Sequence, residues 1–174
     1  EIVDFQNIGL AGITLRRLLA FAALLGVVAC ADTETSQNLH DRENDTAAMR
    51  ALRPQARQGD ADSQYALALI YGEGQGIRKN NAQAARWYRK AADQGYARSQ
   101  YNLGFMYRKG QGVAKDYVIG HMWHQISEAN GFKMEGETWH VLAEIIMTNE
   151  QVAEAQKLAN EWLASHPLRY LGAK

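Results

Sequence analysis

Two consecutive stretches decide the fold: Gly59–Gln94, GDADSQYALALIYGEGQGIRKNNAQAARWYRKAADQ, and Gly95–Asn130, GYARSQYNLGFMYRKGQGVAKDYVIGHMWHQISEAN. Laid over one another at a step of 36 residues they share twelve identities, among them Gln64/Gln100, Tyr65/Tyr101, Leu67/Leu103, Tyr71/Tyr107, Gly74/Gly110, Gly76/Gly112 and Trp87/Trp123. Chance alignment would give about two or three, so this is an internal repeat. A unit of this length holding two helical stretches is a helix-turn-helix, and units stacked in series make an all-α solenoid.

Each unit follows from its residues. Ala61, Gln64, Leu67, Ala68 and Tyr71 share one helical stripe, repeated by Ala97, Gln100, Leu103, Gly104 and Tyr107, and this is the packing face. Ala68 and Gly104 are small where a paired helix must come close. Gly74-Gln75-Gly76 and Gly110-Gln111-Gly112 supply the left-handed conformations of a tight reversal. Asn80 and Asp116 then stand as N-caps of the second helices, which carry Ala84, Trp87, Tyr88 and Ala91 in the first unit and close at Gly95 and Gly131.

This pattern resembles the Sel1-like repeat family, relatives of the tetratricopeptide arrays. It runs Ala61-x-Ser63-Gln64-x-x-Leu67-Ala68-x-x-Tyr71-x-x-Gly74-x-Gly76, then Ala84-x-x-Trp87-Tyr88-x-x-Ala91-Ala92-x-Gln94-Gly95. The resemblance spans about residues 44–166 and implies an all-α solenoid of Sel1-like repeats with helical caps. Some cysteine-rich secreted members are linked to β-lactam chemistry. Their disulfide per repeat is missing here, as is any Ser-x-x-Lys, so that activity is not carried over.

The divisions expected are 1–29, extension and signal peptide; 30–43, polar tether; 44–58, capping helix; 59–94 and 95–130, the two repeats; and 131–174, a degenerate third hairpin and cap. The capping segment resembles a lone second helix, because Gln58-Gly59 matches Gln94-Gly95; Pro54 inside it predicts a kink or a late start. Met134–Ile146 reads as a first helix, and Thr148 with Gln151 forms a capping box for a last helix over Asn149–Ala164.

Ahead of the repeats, Arg16-Arg17 precede the apolar run Leu18–Ala29, too short to span a bilayer but suited to a secretory signal. The run ends Val27-Val28-Ala29-Cys30, which resembles a bacterial lipobox and expects a lipid on Cys30, the one Cys of the chain. Such an anchor would hold the protein on a membrane facing the periplasm of the bacterial envelope; without acylation the signal would leave it periplasmic or secreted. Residues 1–15 contain no Met, are read as translated upstream sequence or as preceding an alternative start near Leu15, and are set aside from the fold.

The 19 basic and 19 acidic residues balance, leaving none of the cationic excess on which nucleic-acid affinity depends. His121, His124 and Glu128 at i, i+3 and i+7, with His140 in the next helix, form the best metal-ligand set, in donors suited to zinc. His121 and His124 also fill the positions of Ala85 and Tyr88, which partly face a neighbouring helix, so packing accounts for them as well. The glycine loops follow a helix rather than a strand and lack Gly-Lys-Ser/Thr, so they are turns. No nucleophile elbow or carboxylate pair is present, and no cofactor or small-molecule substrate is expected.

What remains is surface. Tyr65, Leu69, Tyr101 and Phe105 fall beside the packing stripe and would line the concave side, flanked by Arg98, Asn102 and Arg108. Aromatic and Arg side chains are the types that carry interface energy, although aromatics also pad the joints between repeats. The expectation is a non-catalytic adaptor for an unidentified protein or peptide, the alternative an envelope enzyme or metal-binding protein using His121, His124 and His140.

Overall fold

A computed structural model of the chain describes residues 46–132, 143 and 145–166, all within the unit spanning Asp45–Lys174. The six helices with complete bounds are α1 (Ala47–Arg57), α2 (Ala61–Glu73), α3 (Asn81–Ala92), α4 (Ala97–Lys109), α5 (Tyr117–Ala129) and α6 (Asn149–Ser165). There is no strand among the described residues, and the architecture is an all-α repeat fold. Each helix packs mainly on the ones before and after it in the chain, which is how a solenoid distributes its contacts.

Side chains set the helix starts. Asp60, Asn80, Asp116 and Thr148 each accept a hydrogen bond from the backbone N–H three residues on, and the Gln151 side chain accepts one from the Thr148 backbone N–H to complete the capping box. Helices α2 and α4 stop at Gly74 and Gly110, both left-handed, with φ of 76° and 67°. The chain then doubles back so that the Asn80 amide donates to the Tyr71 carbonyl at 2.8 Å, and the Asp116 amide to that of Tyr107 at 3.0 Å. A Cβ added at Gly112 would lie 2.3 Å from the Asn81 carbonyl carbon, so the loop of repeat 2 rests directly on the backbone where α3 begins.

Between α4 and α5 the approach is closer still. A Cβ at Gly104 would stand 2.8 Å from the Gly120 carbonyl oxygen and 2.7 Å from the His124 ring, so only glycine fits there. The core is one continuous cluster running through Met49, Leu67, Ala84, Leu103, Trp123, Ile126 and Ala159. Trp123 is almost fully enclosed, edge-on to Trp162 of α6 with centroids 5.6 Å apart.

Of the kink or late start expected from Pro54, helix α1 does not show the late start. It begins at Ala47 under a Thr46 cap and runs through Pro54 to Arg57. Pro54 is exposed, while Met49, Arg53 and Ala56 hold the helix by their burial on both sides of it, so the proline's lost N–H falls on the solvent face. The last helix ends at Ser165, one residue beyond the expected Ala164. The expected helix Met134–Ile146 lies largely outside the described residues, within which Ala143, Ile145 and Ile146 are helical. The signal, Cys30 and the tether also lie outside them. No helix among the described residues is long and apolar enough to cross a membrane.

Candidate interaction face

Two polar contacts recur at the repeat step and hold the first helices in place. Gln64 Nε2 donates to the Ala56 carbonyl and Gln100 Nε2 to that of Ala92, each at 2.9 Å. Their Oε1 atoms accept in turn from Gln94 at 2.7 Å and from Asn130 at 2.8 Å. One amide thus links the end of the preceding helix to the end of its own hairpin. Similarly, Arg53 donates to the Tyr71 hydroxyl at 2.9 Å and Arg89 to that of Tyr107 at 2.6 Å. Arg53 stands 36 residues before Arg89, so α1 makes the contact of a second helix and stands in for one.

On the adjoining face, two ring clusters repeat. Tyr65 packs against Tyr88 and Tyr96 at centroid distances of 5.9 and 5.1 Å. At the same positions in repeat 2, Tyr101 packs edge-on to His124 and Phe132 at 4.8 and 5.3 Å. The flanking charge changes with the ring it meets. Asp62 accepts a hydrogen bond from the Tyr96 hydroxyl, whereas its counterpart Arg98 lies 5.8 Å over Phe132, which has no hydroxyl to donate. Burial first, and the Asp62 carboxylate second, push the Tyr96 hydroxyl up to about 12. Burial likewise raises Tyr88, with Tyr65 and Glu73 adding to it.

The seven groove residues expected from the sequence fall into two groups. Tyr101 is only 8% exposed and belongs to the joint between α4 and α5, as aromatics that pad joints do. Tyr65, Leu69, Asn102, Phe105 and Arg108 are half-buried and Arg98 is exposed. Arg108 lies 5.0 Å over the Phe105 ring, so this cation and this ring form one surface element. Tyr96 and Phe132 were not anticipated on this face. They sit between helices, where periodicity is silent, although an aromatic at both positions 36 apart is a signal the repeat alignment contains.

His121 and His124 are buried between helices. His121 Nε2 shares a hydrogen bond with Gln125 Nε2 at 2.9 Å, and the His124 ring occupies the space that Gly104 leaves. Among the described residues no three His, Cys, Asp or Glu side chains are placed to hold one metal ion. His140 lies outside them.

Helical hairpins stacked in register, capped at each end and presenting rings and charges on their first helices, define a repeat-type scaffold. More particularly, residues 61–96 and 97–132 each match the Sel1 repeat. The chain is similar to c5321, a protective antigen present in uropathogenic Escherichia coli strains and displaying an SLR fold (29% identity, TM-score 0.64, covering 72% of this chain and 28% of that one). It is also similar to a Sel1 repeat protein from Oxalobacter formigenes (32% identity, TM-score 0.52, covering 74% and 54%). This chain therefore spans under a third of the first protein and about half of the second. No curated protein matches it. Sel1 repeats are typically non-catalytic scaffolds that mediate protein–protein interaction.

Proposed function

We propose that this protein is a non-catalytic adaptor that holds a partner protein or peptide on the face built by α2 and α4. The observation that carries this reading is the partial exposure of Leu69, Asn102 and Phe105 beside the exposed Arg98, on helices fixed from behind by Gln64 and Gln100. A rigid face with accessible apolar and cationic groups binds at low ordering cost. We further propose that the adaptor works at the bacterial envelope, tethered through a lipid on Cys30; the run Leu18–Cys30 supports this.

In-cell crosslinking followed by affinity capture tests the face, comparing wild type with Leu69→Ala/Phe105→Ala of unchanged helicity. A partner captured by wild type and lost from the double variant is expected; one retained by the variant moves the site off this face, and none at all overturns the adaptor. Metabolic labelling with a radioactive fatty acid tests the tether. Label on wild type and none on Cys30→Ser is expected, and an unlabelled wild type sinks the anchor.

A further inference from the structure

The edge where first helices hand over to second helices collects cations. Arg78 and Lys79 stand on the first glycine loop and Lys109 and Lys115 flank the second, and all four are exposed. The two loops adjoin through the Gly112 position, which rests on Asn81 and Ala82 where α3 begins. A Cβ at Gly74 would stand 3.3 Å from that of Lys79, and one at Gly110 3.1 Å from that of Lys115, so each loop closes on its lysine. Lys109 lies over the Phe105 ring at 6.0 Å and Lys115 over the Tyr117 ring at 4.7 Å. Among the described residues, the acids at this edge are engaged by the fold. Glu73 accepts from the Gln75 amide, Asp116 from the Ile119 amide as the cap of α5, and Glu150 is hydrogen-bonded to Thr148.

Helix stability does not account for these cations. The helix dipole favours Lys109 at the end of α4, but it opposes Arg78, Lys79 and Lys115, which stand just ahead of the N-termini of α3 and α5. The chain also enters the repeats at this edge. A Cβ at Gly76 would lie 2.9 Å from the methyl of Thr46, the residue that caps α1. Cys30 precedes Thr46 by sixteen residues, a reach of at most about 55 Å when fully extended. A lipid on Cys30 would therefore tether the protein from beside its basic edge.

Deepening the envelope reading, and resting on its Cys30 anchor, we infer that this edge docks on the anionic headgroups of the membrane that holds the lipid, with Arg78, Lys79, Lys109 and Lys115 against the surface. Each cation held within a Debye length of an anionic surface adds its own attraction. The tether keeps the edge at high local concentration there, so a modest charge cluster suffices to orient the protein. Helix α4 then points its N-terminal end, and with it Arg98, away from the lipid.

The protein isolated from bacterial membranes tests this after reconstitution into phosphatidylcholine vesicles, with or without phosphatidylglycerol, that carry a headgroup-linked quencher. A fluorophore is placed through Ala114→Cys or Ala129→Cys, two exposed positions at opposite ends of α5, about 20 Å apart. With phosphatidylglycerol, quenching at least about threefold stronger at 114 than at 129 is expected. The difference should vanish without that lipid, in high salt and in Lys79→Glu/Lys109→Glu of unchanged helicity, and persist in the charge-matched Lys90→Glu/Lys157→Glu. Equal quenching at both positions, or a difference that survives salt and charge reversal, overturns the inference. A protein that washes off both kinds of vesicle sinks the Cys30 anchor and this inference with it, whereas one that stays on and shows no difference sinks the inference alone. If Lys79→Glu/Lys109→Glu leaves the quenching unchanged but loses the crosslinked partner, the cations serve an acidic partner, which equally overturns it.

Discussion

Gln64 and Gln100 place the most demanding chemistry of the fold in single residues. Gln100 is fully buried, and both ends of its amide are engaged. Replacing it with Ala leaves a cavity and breaks one buried and one part-buried hydrogen bond, a loss of about 2 kcal/mol, which urea unfolding should register as a lowered midpoint at constant slope. Glycines provide the opposite sign and a control. Gly72 lies inside α2 with only the Ala84 methyl near its Cβ position, at 3.5 Å, so Gly72→Ala should stabilise by up to about 1 kcal/mol. Gly104→Ala meets a carbonyl and a ring, and should cost about 1–3 kcal/mol. The importance of Gln64, Gln100 and Gly104 was legible from the repeat, because a helix face must carry what it packs against. The burial of Tyr101 was not, because a tyrosine beside a packing stripe fits the joint and the groove equally well until its neighbours at 124 and 132 are placed.

At the scale of the element, loops and caps determine where each helix begins and ends. Gly112 and Gly76 look equivalent in sequence and both take a positive φ, yet their surroundings differ. A side chain at 112 meets backbone, whereas one at 76 meets the Thr46 methyl, 2.9 Å away, which can turn aside. Gly112→Ala should therefore cost about 2 kcal/mol or more, and Gly76→Ala less, in paired denaturation curves. Asp60 caps α2 through the Ser63 amide, and hydrogen bonding to the Ser63 side chain first, and to that amide second, holds its carboxyl below the usual carboxylate range. A lowered folded-state pKa adds stability above the unfolded value, near 3.8, and loses it as pH falls through the folded one. Asp60→Asn should keep the cap and flatten the thermal stability profile of the folded protein below about pH 4, whereas Asp60→Ala should lose about 1 kcal/mol at neutral pH as well. The caps at Asn80, Asp116 and Thr148 were legible as short-range patterns. Pro54 misled because a proline's local effect on a helix depends on which side faces water, and that is a tertiary fact.

For the molecule as a whole, stability is shared between neighbours, so the ends matter as much as the middle. Helix α6 closes repeat 2 through Trp162 against Trp123, and Trp162→Ala should cost about 2–3 kcal/mol, read as a lowered melting temperature. The solenoid itself could be read from a step of 36 residues; which of its first-helix side chains face solvent could not, until burial separated them from the core. The contacts Arg53 to Tyr71 and Arg89 to Tyr107 have a further consequence, for how such a chain changes length between generations. Deleting Gly59–Gln94 by unequal recombination would join Gln58 to Gly95, the same junction that Gln94 makes now. Arg53 would then meet Tyr107, and the Ala56 carbonyl would receive Gln100. The splice preserves both of these contacts while shortening the array by one unit, and duplication of the same segment lengthens it on the same terms. Copy number can thus drift without these contacts having to be reinvented, and each gain or loss of a unit adds or removes one first-helix surface from the array.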